Sequence, residues 1–83
     1  MYAIQFSDSA FRMLRKLERQ TQERITSALE RIRIRPEAYV ERLVGDSGYK
    51  LRAGDYRLIL DIRHEVLTIL VIKIGHRSVV YKR

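Results

Sequence analysis

The stretch Lys50-Leu51-Arg52-Ala53-Gly54-Asp55-Tyr56-Arg57 concentrates basic side chains, and Gly75-His76-Arg77-Ser78-Val79-Val80-Tyr81 adds a histidine, an arginine and a tyrosine. Lysines and arginines held on a rigid sheet, with a tyrosine nearby, suit the gripping and cleavage of an RNA backbone without a metal. Phosphate matches the planar fork of arginine and the point charge of lysine. No cluster of carboxylates, cysteines or histidines suggests another chemistry.

The elements that position these groups must come from 83 residues, enough for one domain with one small core. The hydrophobic share of 46% is too high for a disordered chain. With no cysteine there is neither a disulfide nor a thiolate metal site, which suits a reducing compartment such as the cytoplasm. No signal peptide is expected, and the longest apolar run, Leu67 to Ile72 with Thr68 interrupting it, is too short to span a bilayer. The net charge of +7 points to a polyanionic or acidic partner. Residues 1–46 carry nine basic and seven acidic side chains, a net of +2, while residues 47–83 carry eight and three, a net of +5.

Along the chain, Ile4 and Phe6 alternate with Ala3 and Gln5, predicting a short strand over Tyr2–Phe6. Ser7 or Asp8 offers an N-cap, and Ala10, Phe11, Leu14 and Leu17 predict a helix over about residues 8–18. Arg19-Gln20-Thr21 reads as a break, with Thr21 capping a second helix. Ile25, Ala28, Leu29 and Ile32 give that helix one apolar stripe, and Pro36 ends it at Arg35. Residues 37–48 are the least regular, with a partial turn around Tyr39, Val40 and Leu43.

From Tyr49 the period changes to two. Tyr49, Leu51 and Ala53 alternate with Lys50 and Arg52; Tyr56, Leu58, Leu60 and Ile62 alternate with Arg57, Ile59, Asp61 and Arg63. Gly54-Asp55 and His64-Glu65 are turns, and His64 is expected to be solvated. Val66–Ile74, apolar on both faces apart from Thr68 and Lys73, is expected to be a central strand covered on both sides. The result is an α+β domain over residues 1–83: an N-terminal strand, a helical hairpin, then a three-stranded antiparallel meander completing one twisted sheet. Alternation puts Lys50 and Arg52 on one face, and Arg57 and Asp61 on one face of the next strand. Arg57 and Asp61 could equally form no more than a surface ion pair.

These motifs resemble the RelE-like toxins of prokaryotic toxin–antitoxin systems, over essentially the whole chain. The most specific parts are Tyr49-Lys50-Leu51-Arg52 through Gly54-Asp55-Tyr56-Arg57-Leu58, and Gly75-His76-Arg77 with Tyr81. The resemblance implies a RelE-like fold and cleavage of messenger RNA in the ribosomal A site. There the ribose 2′-OH attacks its own 3′ phosphate, leaving a 2′,3′-cyclic phosphate and a 5′-OH. By position, Lys50 matches a lysine that helps activate the hydroxyl. Arg57 matches an arginine that stabilises phosphate charge, Arg77 one that protonates the leaving oxygen, and Tyr81 a tyrosine that contacts the substrate nucleotide. Arg52, His76, Lys73 and Lys82 are expected to be further phosphate or RNA contacts.

Physical chemistry ranks these roles. Charge stabilisation by fixed cations is the most direct, and stacking by Tyr81 is ordinary single-stranded RNA recognition. A lysine, with an ordinary pKa of about 10.4, needs neighbouring cations to act as a base at neutral pH. Guanidinium scarcely gives up its proton, so Arg77 acts by charge and hydrogen bonding. The sequence departs from the familiar pattern in having Gly48 where a second strand lysine often stands, and in its short Gly75-to-Tyr81 spacing.

The resemblance also implies the partners: a RelB-like antitoxin carrying an acidic contact segment, the ribosome and its message, and operator DNA only through the antitoxin. Neither a membrane nor a metal or other cofactor is expected. Two alternatives use the same scaffold: a non-enzymatic ParE-type inhibitor of DNA gyrase, and a catalytically weak homologue that only binds its antitoxin.

Overall fold

The structure, a computed structural model, describes residues 1–45 and 47–78. The chain starts with strand β1 (Ala3–Phe6) and turns through Ser7 into helix α1 (Asp8–Lys16). Ser7, not Asp8, is the N-cap: its Oγ accepts from the Ala10 amide at 3.0 Å. Helix α2 (Arg19–Arg31) follows almost at once. The break falls at Leu17 and Glu18 rather than at Arg19–Thr21, and Thr21 lies inside the helix and caps nothing. The Gln22 side chain closes the corner by donating to the Leu17 carbonyl at 2.8 Å.

Helix α2 stops at Arg31, before the Arg35 limit expected from Pro36. Tertiary bonds explain the early stop. The Tyr2 amide donates to the Arg33 carbonyl at 2.8 Å, and Arg33 Nε donates back to the Tyr2 carbonyl at 2.8 Å, so this segment caps the outer edge of β1. Pro36 instead opens a short 3-10 turn, Pro36–Ala38.

The remaining strands are β2 (Glu41–Arg42), β3 (Tyr49–Ala53), β4 (Tyr56–Arg63) and β5 (Thr68–His76). Together with β1 they form one mixed sheet in the order β1-β5-β4-β3-β2. The meander β3–β4–β5 is antiparallel as expected, while β1 runs parallel to β5. Strand β2, within the stretch that had no regular reading, adds an antiparallel edge to β3. No helix among the described residues is long and apolar enough to cross a membrane.

Both helices cover the same face. Ala10 of α1 and Ile25 and Leu29 of α2, with Ile32, close over Leu51, Leu58, Leu60, Ile69, Val71 and Ile74 as one core. Phe11, read as part of the α1 stripe, is instead 47% exposed. Strand β5 is interior but not doubly covered. Leu70 and Ile72 are only half-buried, because no helix packs on the far face.

A bulge interrupts β5. Ile59 opposes Lys73 and Leu60 opposes Val71, so Ile72 is an extra residue. Strict alternation from Ile69 and Val71 would carry Lys73 inward. The bulge reverses the parity, placing Ile74 in the core opposite Leu58 and Lys73 outside opposite Ile59. Ser7 holds the bulge: its Oγ donates to the Ile72 carbonyl at 2.7 Å and its amide to the Val71 carbonyl at 2.9 Å.

At the opposite end of β5, the turn after β4 runs over residues 64–67, with Leu67 at a φ of 47°. His64 is not simply solvated. Its Nδ1 shares a 2.8 Å hydrogen bond with the Tyr2 hydroxyl, and its Nε2 lies 3.2 Å from Glu37. It thus ties the first strand, the 3-10 turn and the β4–β5 connection together.

Candidate functional site

The uncovered face of the sheet carries the cations. Register sets them in two rows across the strands: Arg52 on β3, Arg57 on β4 and Gly75 on β5; then Glu41 on β2, Lys50 on β3, Ile59 on β4 and Lys73 on β5. Directly opposed residues lie about 5 Å apart, so these side chains share one surface. The structure therefore brings together Lys50, Arg52, Arg57 and Lys73, four of the residues singled out in the sequence. Tyr81 and Lys82 lie outside the described residues.

Arg52 and Arg57 are like charges in register, an arrangement that costs stability unless an anion lies between them. Arg52 is exposed and has no ion pair among the described residues. Arg57 is half-buried, and its Nη2 donates to the Arg77 carbonyl at 2.5 Å. The Arg57–Asp61 surface pair does not form: Asp61 accepts instead from Arg63 Nε at 2.9 Å.

Arg77 follows β5 directly and is fixed at the end of the Arg52–Arg57 row. Its amide donates to the Asp55 carbonyl at 2.7 Å, and its Nε lies 3.7 Å from Asp55 Oδ1. The turn at Gly54-Asp55 thus holds the end of β5 by backbone and side chain together, and Arg57 holds the same residue, through its carbonyl, from β4. Gly54 takes a φ of +62°, which a side chain would disfavour.

His76 sits apart from these cations. It pairs with Tyr56, whose side chain has the parity of core residues Leu58 and Leu60, so it lies at the rim of the helix-bearing face. Its ring meets Tyr56 edge-on, with centroids 5.3 Å apart. The Ser78 amide donates to its Nδ1 at 3.1 Å, which leaves Nε2 to carry the proton of the neutral ring.

Two acidic residues escaped the sequence reading. Glu41 lies opposite Lys50, with Oε1 3.3 Å from Nζ. Strand β2 spans only Glu41–Arg42, too short for any periodic signal, so nothing in the sequence pointed to it. Asp55 was read only as a turn residue; its signal was its place between two basic strands. Chemically, the face offers fixed guanidiniums for a phosphate, an ammonium and a carboxylate in contact at its edge, and an arginine tethered at one end. Among the described residues no three His, Cys, Asp or Glu side chains form a group suited to a metal.

Comparison with known proteins fits this fold. Residues 4–81 match the family described as ParE toxin of type II toxin-antitoxin system, parDE. A chain of the intact E. coli RelBE toxin-antitoxin complex superposes with a TM-score of 0.79 at 28% identity, over 100% of both chains. A chain of the RelBE2 toxin-antitoxin complex from Mycobacterium tuberculosis gives 0.82 at 25% identity, over 92% of this chain and 98% of that one. The isolated E. coli RelE toxin gives 0.78 at 30% identity, over 92% and 84%. Among curated proteins, none matches the chain by sequence.

Proposed function

The chain belongs to the ParE toxin family of type II toxin–antitoxin systems, within the RelE/ParE superfamily, and from that premise we propose that it is a ribosome-dependent endoribonuclease. It cleaves messenger RNA in the A site without a metal and so arrests translation in the cytoplasm. The observation that carries this reading is the open sheet face, where Lys50, Arg52, Arg57 and Lys73 stand in two adjacent rows with Arg77 tethered at the end of one.

In the proposed step the ribose 2′ oxygen forms a bond to the adjacent phosphorus as the bond from phosphorus to the 5′ oxygen breaks. The products are a 2′,3′-cyclic phosphate and a 5′-OH. Arg57 and Arg52 stabilise the charge that gathers on the non-bridging oxygens. Lys50, ion-paired with Glu41, serves as a cation; of the two, the carboxylate is the group able to accept the 2′-OH proton. Arg77 supports the leaving oxygen by charge, because guanidinium retains its proton, and water supplies the proton that completes the 5′-OH. Tyr81 contacts the nucleotide, and Lys82 and His76 contribute at the margin.

A RelB-like antitoxin is the proposed protein partner. The chains it resembles in the E. coli and M. tuberculosis complexes are described as toxin–antitoxin assemblies, and a surface this basic suits an acidic segment. Operator DNA is reached through that antitoxin. A second reading, inhibition of DNA gyrase without RNA cleavage, is favoured by the ParE family match.

The test is purified protein added to ribosomes on a defined message, with 5′ ends mapped by primer extension and Arg77→Ala alongside. A new end within the A-site codon, dependent on ribosomes and lost in the variant, is the expected result. No cleavage, with gyrase supercoiling blocked at equal concentration, would establish the second reading. Neither activity would leave an antitoxin-binding homologue.

A further inference from the structure

A second basic feature lies around the edge of the sheet from the open face. Strand β2 reaches along β3 only as far as Lys50, so the β3 edge beyond it, at Arg52 and Ala53, is bordered by α2. Between α2 and the β3–β4 turn runs an open cleft of about 370 Å³, lined by Arg24 and Arg31 of α2, Arg52 of β3, Glu23, Ser27 and the bare backbone of Gly54. Arg24, Ser27 and Arg31 follow one another at helical spacing, on a different face from the buried Ile25, Leu29 and Ile32.

The cleft is built around Arg24. A Cβ on Gly54 would stand 2.7 Å from Arg24 Cδ and 3.1 Å from its Nη1, so the glycine at φ +62° is what lets this side chain lie against the turn. None of Arg24, Arg31 and Arg52 has an ion pair among the described residues, and Glu23 neutralises none of them. Three guanidiniums thus face one carboxylate. Arg52 belongs to both surfaces: it lines the cleft and opposes Arg57 on the open face. The apolar lining amounts to Ala28 and Ala53. A peptide partner would find no pocket for the aromatic or aliphatic anchors that carry protein interfaces, whereas nucleic-acid interfaces are polar and positively charged.

We propose that this cleft binds the phosphodiester backbone of single-stranded RNA continuing from the strand held on the open face, passed across the β3 edge by Arg52. The proposal rests on the reading of the open face as an RNA site. It gives Arg24 and Arg31 a role in holding RNA flanking the reactive phosphate, with no part in the chemical step.

The experiment measures fluorescence anisotropy of labelled 2′-O-methyl oligoribonucleotides, which cannot be cleaved, with the full chain across a salt series. One probe is a trinucleotide and the other has about 12 nucleotides. For the longer probe, Arg24→Gln/Arg31→Gln is expected to lower the slope of log K against log salt by about 1.4, at about 0.7 per lost phosphate contact. The trinucleotide should bind that variant as it binds the parent. Glu23→Gln, which adds no bulk, should tighten the longer probe alone. Arg12→Gln/Arg15→Gln on α1 removes the same charge elsewhere and should leave the slope within a few tenths.

An unchanged slope in the cleft variant, with Arg57→Gln lowering it, would overturn the cleft and leave the open face standing. The reverse pattern would support the cleft and remove the open face. Equal losses from the α1 and cleft pairs would overturn the proposal in favour of general charge. Unchanged RNA binding with weakened binding of the cognate antitoxin would also overturn it, by assigning the cleft to a protein. No salt-dependent binding of either probe by the parent chain would remove both sites.

Discussion

Arg52 lies directly opposite Arg57 in the β3–β4 ladder. Two guanidiniums in register repel, and cross-strand pairs of this kind shift stability by about 0.2–1 kcal/mol. The chain keeps the arrangement on a face that no helix covers, as a site prepared for an anion would.

Replacing one member of this pair should therefore separate stability from binding. Arg52→Gln is expected to leave the thermal midpoint unchanged or raise it at low salt, with the difference vanishing near 1 M, where screening acts over about 3 Å. The same variant should bind RNA more weakly. A lower midpoint at low salt would show that the two charges do not repel in the folded chain.

Arg57, Arg77 and Asp55 should form a graded series in ribosome-dependent cleavage. Arg57→Ala removes a charge from the phosphate and should cost about 100-fold or more in rate. Arg77→Ala should cost as much and should relieve growth arrest. Asp55→Ala touches no substrate; it loosens the side-chain hold on Arg77, while the bond between the Arg77 amide and the Asp55 carbonyl remains. Its loss should be smaller, about 10-fold, and Asp55→Glu should restore part of it. Circular dichroism of all three should match the parent, and full toxicity of both arginine variants would mean that the site is misassigned.

Ser7→Ala should be the most informative change outside the site. It removes the cap of α1 and the donor to the Ile72 carbonyl together. Loss of a cap costs about 1 kcal/mol, and the unsatisfied carbonyl adds about 1 more. Urea denaturation should show a loss near 2 kcal/mol with an unchanged m-value, and amide exchange should accelerate at the end of β1 and around Ile72. A loss no larger than that of an ordinary surface serine would mean that the bulge does not depend on this contact.

Gly48→Lys would install the second strand lysine found in related toxins, and the structure argues against a gain. A Cβ there would lie 3.1 Å from the Leu60 carbonyl oxygen and 3.2 Å from Leu43 Cδ1. The expected outcome is destabilisation of about 1 kcal/mol with no rise in cleavage. Higher activity at equal stability would show that the β2–β3 corner yields easily.

Much of the site was legible because it follows from local rules. Alternation over Tyr49–Ala53 and Tyr56–Arg63 needs only the period of a strand, and a two-residue turn at Gly54-Asp55 brings Arg52 and Arg57 into register. The helix stripe of Ile25, Leu29 and Ile32 showed that one sheet face would be covered; that the other stays open was not legible, because the apolar run along β5 reads as a strand covered on both sides. The end of α2 was misplaced because two hydrogen bonds to Tyr2, some thirty residues away, override helix propensity at Ile32–Arg35. Glu41 was missed because a two-residue strand has no period.

The sequence by itself determined the α+β class, the alternation that separates core from cationic residues on β3 and β4, and the placement of Lys50, Arg52 and Arg57 together. Tertiary structure alone decided how β5 meets that face. Parity along β5 reverses at Ile72, moving Lys73 out of the core and setting Gly75 beside Arg57, with Arg77 just beyond. Alternation is a property of neighbouring residues and is visible in sequence. A bulge is settled by whatever satisfies its freed carbonyl, and here that is a serine 65 positions earlier in the chain.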